Sequence, residues 1–517
     1  MGILVLDFGG QYTHLIARRV RELGAYSEIL SFDASVEKIQ KLKPEGIILS
    51  GGPASVYEEG APFPDKGIFS LGIPVMGICY GHQLIAKMLG GKVEKGGIKE
   101  YGKKELQTLN KEDLFFGLEG KEIVWMSHGD EVKELPPSFE AIASSDDCPI
   151  AASRGKASPQ DQRFTIYSVQ FHPEVVHTPK GNQVIENFIY RICGCKKEWT
   201  IKDVSKRLVE EIGRAVADEK VLIGVSGGVD SIVAATLLNK AIGERLHCIF
   251  IDNGLLRKNE KKEVIAAYEK LGFKHFHFVN AREEFLEQLK GVLDPEEKRK
   301  RIGHTFIKVF EKAAKDVSEE EGIKFFAQGT IYPDRIESAQ ASKKAAKIKS
   351  HHNLTLPEQM SFQIIEPLKE LYKDEVRALG RELNIPEEWI KRHPFPGPGL
   401  AIRILGEITE ERLAILREAD AIYIEELKKS DWYDKVWQAF AALLPVKAVG
   451  VMGDQRTYEY IITLRAVNSK DGMTADWSKL PPEILERVSN RIVNEVKGVN
   501  RVLYDVSQKP PATIEYE

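Results

Sequence analysis

The chain has 517 residues, a formal net charge of −4 and a hydrophobic fraction of 43%. That length predicts two to four domains, and that fraction fills several cores and excludes a globally disordered chain. The charge balance excludes an overall basic field for nucleic acid, no apolar run reaches the roughly 18 residues a membrane helix needs, and only five cysteines point to a reducing, cytosolic setting rather than a disulfide framework.

Ile3 to Phe8 reads as a short buried strand ended by Gly9-Gly10. A strand so close to the start, with no charged n-region or cleavage site, leaves no room for a signal peptide. Tyr12 to Leu23 is an amphipathic helix closed by Gly24, and Gly46 to Ser50 is a second strand running into Gly51-Gly52-Pro53. Strands alternating with helices predict a parallel sheet covered on both faces. Ile73 to Ile78 then meets Gly77-Ile78-Cys79-Tyr80-Gly81, with a helix expected from about His82. Small residues on both sides of Cys79 permit a sharp strand-to-helix elbow that exposes a nucleophile, and the helix N-terminus favours the thiolate. Alone, a glycine-flanked cysteine is commonly just a small core residue. Downstream, Thr165 to Glu174 reads as extended, so His172 and Glu174, two apart, share one face. A thiol with His and a carboxylate is the arrangement in which the imidazole takes the proton and the carboxylate fixes its tautomer. Cys193-Gly194-Cys195 lacks a second pair at zinc spacing and reads as a loop.

Ser50-Gly51-Gly52-Pro53, Gly77 to Gln83, Ser127-His128-Gly129-Asp130 and Phe171-His172-Pro173-Glu174 together resemble the class I glutamine amidotransferase family over nearly all of residues 1–195. The resemblance implies that Cys79 attacks the glutamine side-chain amide, with His172 and Glu174 as its catalytic partners. It implies an oxyanion hole from the backbone N–H groups at Gly52 and Tyr80, and glutamine contacts at Gln83, Ser127, His128 and Asp130, partly by backbone. Without the resemblance, His128 reads equally well as a satisfied loop histidine.

After a polar joint at 195–200 and a helix from Ile201 to Ala217, Val221 to Val225 is a buried strand. Ser226-Gly227-Gly228-Val229-Asp230-Ser231 follows and runs into a helix beginning at Ser231. A strand, a glycine turn and a helix N-terminus make an anion site, since backbone N–H groups approach an oxyanion without a Cβ clash. The lysine of the Gly-x-x-x-x-Gly-Lys-Ser/Thr loop is missing. The two hydroxyls can donate to phosphate oxygens, and Asp230 can hold Mg²⁺. The motif resembles the pyrophosphate loop of the ATP pyrophosphatase family, which implies cleavage of ATP between its α and β phosphates, with Ser226, Gly227, Gly228, Val229, Asp230 and Ser231 holding the nucleotide and the departing pyrophosphate. Asp252, ending the strand from Leu246, could meet the ATP ribose or a base edge, or simply cap a turn. Gly329, after the strand at Lys324 to Ala327, would let adenine approach the backbone. The basic stretch Lys343 to Asn353 is a solvated loop or a lid that excludes water, with Lys349, His351 and His352 as its contacts.

His393 to Leu400 is dense in proline and glycine and marks a boundary. Ala401 to Leu405 reads as a strand, Thr409 to Ser430 as a helix N-capped by Thr409, Lys447 to Met452 and Tyr458 to Val467 as strands, Pro482 to Val496 as a helix, and Arg501 to Val506 as the last strand. These predict a small α+β module with one exposed sheet face and a docked C-terminal segment. Gly397-Pro398-Gly399-Leu400-Ala401-Ile402-Arg403, Gly453-Asp454-Gln455-Arg456-Thr457-Tyr458 and Lys509-Pro510-Pro511-Ala512-Thr513-Ile514-Glu515 resemble the C-terminal domain of the GMP synthase family. That resemblance spans the whole chain and implies ATP-dependent amination of xanthosine monophosphate (XMP) to GMP with ammonia from glutamine, Mg²⁺ as cofactor and a homodimer through this domain. It places Arg456, Lys509, Ile514 and Glu515 at XMP; without it, Lys509 and Glu515 read as a surface ion pair.

The expected fold class is therefore α/β, with two doubly wound parallel-sheet domains at 1–198 and 199–392 and an α+β dimerisation domain at 393–517. Three rivals keep the pyrophosphate loop or the fold without this chemistry. One is an ATP pyrophosphatase of the NAD or asparagine synthetase type, which should lack Lys-Pro-Pro-Ala-Thr-Ile-Glu. Another is a tRNA-modifying thiolase, which needs a basic RNA face. The third is a non-catalytic scaffold.

Overall fold

The apolar strands near the start assemble as their hydrophobicity requires. In the computed structural model, which describes residues 2–156, 165–334, 362–452, 454–469 and 474–517, β1 (Ile3–Asp7), β2 (Ser27–Ser31), β3 (Gly46–Leu49), β4 (Val75–Ile78), β5 (Lys92–Thr108), β6 (Lys121–Glu134), β7 (Phe139–Ser144), β8 (Ala152–Gly155) and β9 (Ile166–Val169) form one sheet in the order β2-β1-β3-β4-β9-β8-β7-β5-β6. From β2 to β9 neighbours are parallel, and β3, β4 and β9 are buried along their whole length. Beyond β9 every pairing is antiparallel. The expectation of a purely parallel sheet is refined here: β6 alternates buried and partly exposed residues from Val124 to Asp130, the period-2 pattern of an antiparallel strand with one face more open than the other.

The chain divides into two units, Met1–Asp203 and Val204–Glu517. The second holds a fully parallel sheet of β10 (Val221–Val225), β11 (Leu246–Asp252), β12 (His275–Asn280), β13 (Phe325–Ala327) and β14 (Gln363–Ile365), in the order β12-β11-β10-β13-β14. The order reverses between β10 and β13. This is the switch point at whose C-terminal strand ends α/β proteins open a crevice. A second sheet contains β15 (Gln438–Met452), β16 (Gln455–Asn468), β17 (Asp476–Trp477) and β18 (Val499–Tyr504). One core runs from Leu222 and Ile249 through Leu413 and Leu416 of the helix Glu410–Lys429 to Ile462 and Val499.

Two expectations for the last third change. Ala401 to Leu405 is not a strand: Gly399–Arg403 forms a 3₁₀ turn, entered through Gly399 at φ +62° and held by Leu400 N–H donating to the Leu255 carbonyl at 2.8 Å. The β-branched residues Ile402 and Ile404 are buried by packing, which overrides their strand preference. The strand at Lys447 starts earlier, at Gln438, and is broken by a register shift between Leu444 and Lys447, where Pro445 has no N–H to give the ladder. Thr409 caps its helix as expected, its hydroxyl accepting from Arg412 N–H at 3.2 Å. The C-terminal segment is docked. Arg465 donates to the carbonyls of Ile514, Thr513 and Ser507, Lys298 and Arg299 reach Glu517, and Arg403 grips Glu515.

Three buried histidines make stability depend on pH. Burial pushes His82 down to about 3, and His247 and His393 down to about 4. Each is neutral in the fold and takes up a proton in the unfolded chain below about pH 6.5. The unfolded state therefore binds more protons as pH falls, and stability drops from about pH 6.5 toward pH 4. His247 stacks on His275 and His277. We expect His247→Gln to flatten that slope relative to the parent when urea midpoints are compared at pH 7.5, 6 and 5; parallel slopes would refute the assignment.

Candidate active site

Strands β4 and β9 are parallel neighbours, so the turns leaving their C-terminal ends lie side by side. Cys79 leaves β4, its N–H donating to Val169 O at 2.8 Å, and His172 leaves β9. The helix after Cys79 runs Tyr80–Met88, two residues earlier than expected, which puts Cys79 at its N-cap with φ 54°. A left-handed non-glycine residue is strained, and such strain collects at functional sites. Both flanking glycines are required by contact. A Cβ on Gly77 would lie 2.4 Å from Gly81 O, and one on Gly81 would lie 2.4 Å from Leu49 O.

The His172–Glu174 pair forms, but not in an extended run. β9 ends at Val169, and the pair sits in the following turn with Nδ1 2.6 Å from Oε1. That turn is fastened to β6: His172 N–H donates to Trp125 O at 3.0 Å, and Thr178 Oγ1 donates to His172 O at 2.7 Å. Burial disfavours the imidazolium, but the Glu174 carboxylate and the hydrogen-bonded Cys79 sulfur outweigh it and hold His172 well above the usual imidazole value. Gly51 faces both groups; a Cβ there would meet His172 Cε1 at 3.3 Å and Cys79 Cβ at 3.7 Å. Gly52 lies against Phe8 O and the Tyr80 ring. Of the residues expected at glutamine, Ser127 reaches Cys79, its carbonyl accepting from Sγ at 3.6 Å. Gln83 is buried and donates to Asp130 O and to Gln170 Oε1. The Asp130 carboxylate accepts from Ser55 Oγ and Tyr57 OH, and His128 lies between Glu100 and the Asp130 carbonyl.

In the second unit a cleft of about 1160 Å³ opens at the β10/β13 switch point, lined by all of Ser226 to Ser231 and by Gly329. The helix begins at Val229 with Gly228 as N-cap. Ser231 Oγ accepts from Ser226 N–H at 2.8 Å, and Ser226 Oγ accepts from Gly228 N–H at 3.2 Å, so the hydroxyls shape the loop. Asp230 Oδ2 is ion-paired with Lys373, whereas its buried Oδ1 has no partner. Seven cations of this cleft escaped the sequence reading: Arg257, Lys258, Lys270, Lys373, Arg377, Arg392 and Lys428. One signal was available. Lys373 and Arg377 are four apart, hence on one helix face, and Lys373 opposes the helix dipole in the first turn of Lys373–Glu382.

Other expected residues lie elsewhere. Asp252 is outside the cleft lining; its Oδ1 accepts from Gly254 N–H at 3.0 Å and Lys261 lies 3.7 Å from it. Arg456 is exposed near the tip of the β15–β16 hairpin. Lys509 forms a two-way backbone bridge with Ala475. Ile514 packs with Phe440, Ala442 and Val467. Glu515 accepts two bonds of 2.9 Å from Arg403 and one of 2.6 Å from Gln438. Lys349, His351 and His352 lie outside the described residues.

The family model for glutamine amidotransferase class-I matches residues 4–192, that for NAD synthase residues 200–298, and that for the GMP synthase C terminal domain residues 425–516. A glutamine-hydrolysing GMP synthase of Carboxydothermus hydrogenoformans is 57% identical over 516 residues, covering 100% of this chain and 99% of the relative. The chain belongs to the GMP synthase family. Similar enzymes of Aquifex aeolicus, 57% identical, and Thermosipho melanesiensis, 56% identical, also cover 100% of this chain and 99% of their own length. The match at 425–516 and the full-length GMP synthase relatives set aside the NAD synthetase rival, although its loop-bearing portion is shared.

Proposed function

We propose that the chain aminates XMP to GMP in two coupled steps, with the residues above in the following roles. The carrying observation is that one chain holds both a Cys79–His172–Glu174 contact and an anion loop with an unpartnered aspartate oxygen at a sheet switch point. Cys79 attacks the glutamine amide carbon, His172 passes the thiol proton to the leaving ammonia, and Glu174 steadies the imidazolium. The N–H groups at Gly52 and Tyr80 receive the oxyanion. The freed ammonia leaves a thioester on Cys79, which water hydrolyses to glutamate. In the second unit the C2 oxygen of XMP attacks the α-phosphate of ATP. The 226–231 loop receives pyrophosphate, and ammonia then displaces AMP from C2. Asp230 Oδ1 suits Mg²⁺, being a buried carboxylate oxygen without a donor. A Mg²⁺ ion held by Asp230 would supply Lewis-acid stabilisation of the phosphate charge. Lys373, Arg257 and Arg392 add positive charge to the same cleft.

The division of residues 204–517 at 393, XMP contacts at Arg456, Lys509, Ile514 and Glu515, and a lid at Lys349, His351 and His352 follow from the motifs. A homodimer is supported by an apolar patch in which Val449 faces Tyr458 across the β15–β16 ladder, with Val451, Leu503 and Val506 also exposed. No described helix is long and apolar enough to cross a membrane, and five unpaired cysteines fit a cytosolic location.

The test is product analysis after incubation with XMP, ATP and Mg²⁺, with either glutamine or an ammonium salt. GMP, AMP and pyrophosphate in both reactions are expected. ADP as the nucleotide product would overturn the α–β cleavage assigned to the Ser226–Ser231 loop.

A further inference from the structure

The first unit contains a second set of sulfur, imidazole and carboxylate, built from residues that the proposed chemistry leaves without a reacting role. Glu100 on β5 lies directly across the ladder from His128 on β6. Cys148 lies in the turn between β7 and β8, tied by its N–H to Ser145 Oγ at 3.1 Å. The Glu100 oxygen, a His128 ring nitrogen and Cys148 Sγ all lie within 4.8 Å of one another, and all three residues are buried. Alternation along β6 turns the side chains of Ser127 and His128 to opposite faces, and Ser127 meets Cys79 through its backbone carbonyl.

His128 carries the decisive detail. Its Nδ1 is 3.0 Å from the Asp130 carbonyl, which also accepts from Gln83, and its Nε2 is 2.9 Å from Glu100 Oε2. Both ring nitrogens therefore face acceptors, and a neutral imidazole has one proton to give. Nε2 and the carboxylate therefore share either a proton or a metal ion. A proton joins two of the three groups and does not engage the sulfur, which meets the Ile150 backbone. A divalent ion satisfies all three: neutral His, Glu⁻ and Cys⁻ together balance two positive charges. The Nδ1–H to backbone carbonyl bond is the outer-shell contact that fixes the tautomer of a ligating histidine through Nε2. Lys104, 3.8 Å from Glu100, is drawn to Asp147 at 2.5 Å. Glu131 adds negative potential at the sulfur.

We propose that Glu100, His128 and Cys148 bind one Zn²⁺ ion, with solvent in the fourth position, which joins β5, β6 and the turn before β8. Mixed sulfur, nitrogen and oxygen donors select zinc over magnesium or calcium. Burial pushes the free Cys148 thiol up, so the metal has to displace its proton.

The experiment uses the full chain with Co²⁺ as a spectroscopic stand-in. Cys79→Ala supplies a background in which the thiol paired with His172 cannot bind cobalt. After dialysis, this variant is expected to keep one equivalent of cobalt and to show sulfur-to-cobalt charge-transfer absorption that zinc abolishes. Cys148→Ser should lose the band, and Glu100→Gln should keep the fold by circular dichroism yet weaken cobalt affinity at least about 10-fold. Absence of the band in Cys79→Ala overturns the site. So does a band that survives Cys148→Ser, which would move the sulfur to Cys193, Cys195 or Cys248. If Cys148→Ser does not fold, unchanged affinity in Glu100→Gln is sufficient to reject the proposal.

Discussion

Cys79→Ala is expected to abolish GMP formation from glutamine, by at least about 10⁴-fold in kcat, while GMP formation from ammonium stays within about twofold of the parent. The contrast follows from the architecture. The thiol lies in Met1–Asp203, on an elbow held by the Gly77 and Gly81 contacts, and a smaller side chain fits that elbow without displacing Gly81 or Leu49. The cleft at 226–231 belongs to the other unit and contains no part of the elbow. Steady-state rates with each nitrogen source decide the matter. Loss of both activities would mean that Cys79 supports the fold, and retention of the glutamine reaction would remove it as nucleophile.

Asp230→Asn is expected to lower both reactions together, by at least about 10²-fold, and to raise the Mg²⁺ concentration needed for half-maximal rate. Asparagine keeps the shape of the side chain but gives up the charge proposed to hold Mg²⁺ at Oδ1 and the ion pair with Lys373 at Oδ2. A magnesium titration on ammonium isolates the effect from glutamine hydrolysis. An unchanged magnesium requirement would place the metal elsewhere in the cleft.

What could be read in advance was what is local. The Cys79 elbow and the 226–231 loop are each a strand, a glycine turn and a helix within a dozen residues, and each announces its backbone demands in its glycines. The His172–Glu174 contact was anticipated from the wrong geometry: a turn makes it, tied to Thr178 close by in sequence and to Trp125, which is not. Lys373 is 143 residues from its partner Asp230, and no periodicity couples positions so far apart. Ala401–Leu405 carries strand-forming residues, yet Pro396, Pro398 and Gly399 set the entry angle and burial settles the rest. Glu515 reads as an exposed carboxylate, and only the fold supplies the buried Arg403 that grips it.

Lys298, Arg403 and Arg465 are cations sealed almost completely inside the protein. Their side chains reach residues 513–517, which supply the carboxylates of Glu515 and Glu517 and the carbonyls of Thr513 and Ile514. A buried charge stripped of its partner costs about 3–5 kcal/mol, comparable with much of a domain's whole stability. Residues 513–517 thus act as a keystone of the second unit, holding three charges in place. Deleting them would leave Lys298, Arg403 and Arg465 without those partners, so the second unit would lose stability while every residue of the 226–231 loop stayed in the chain.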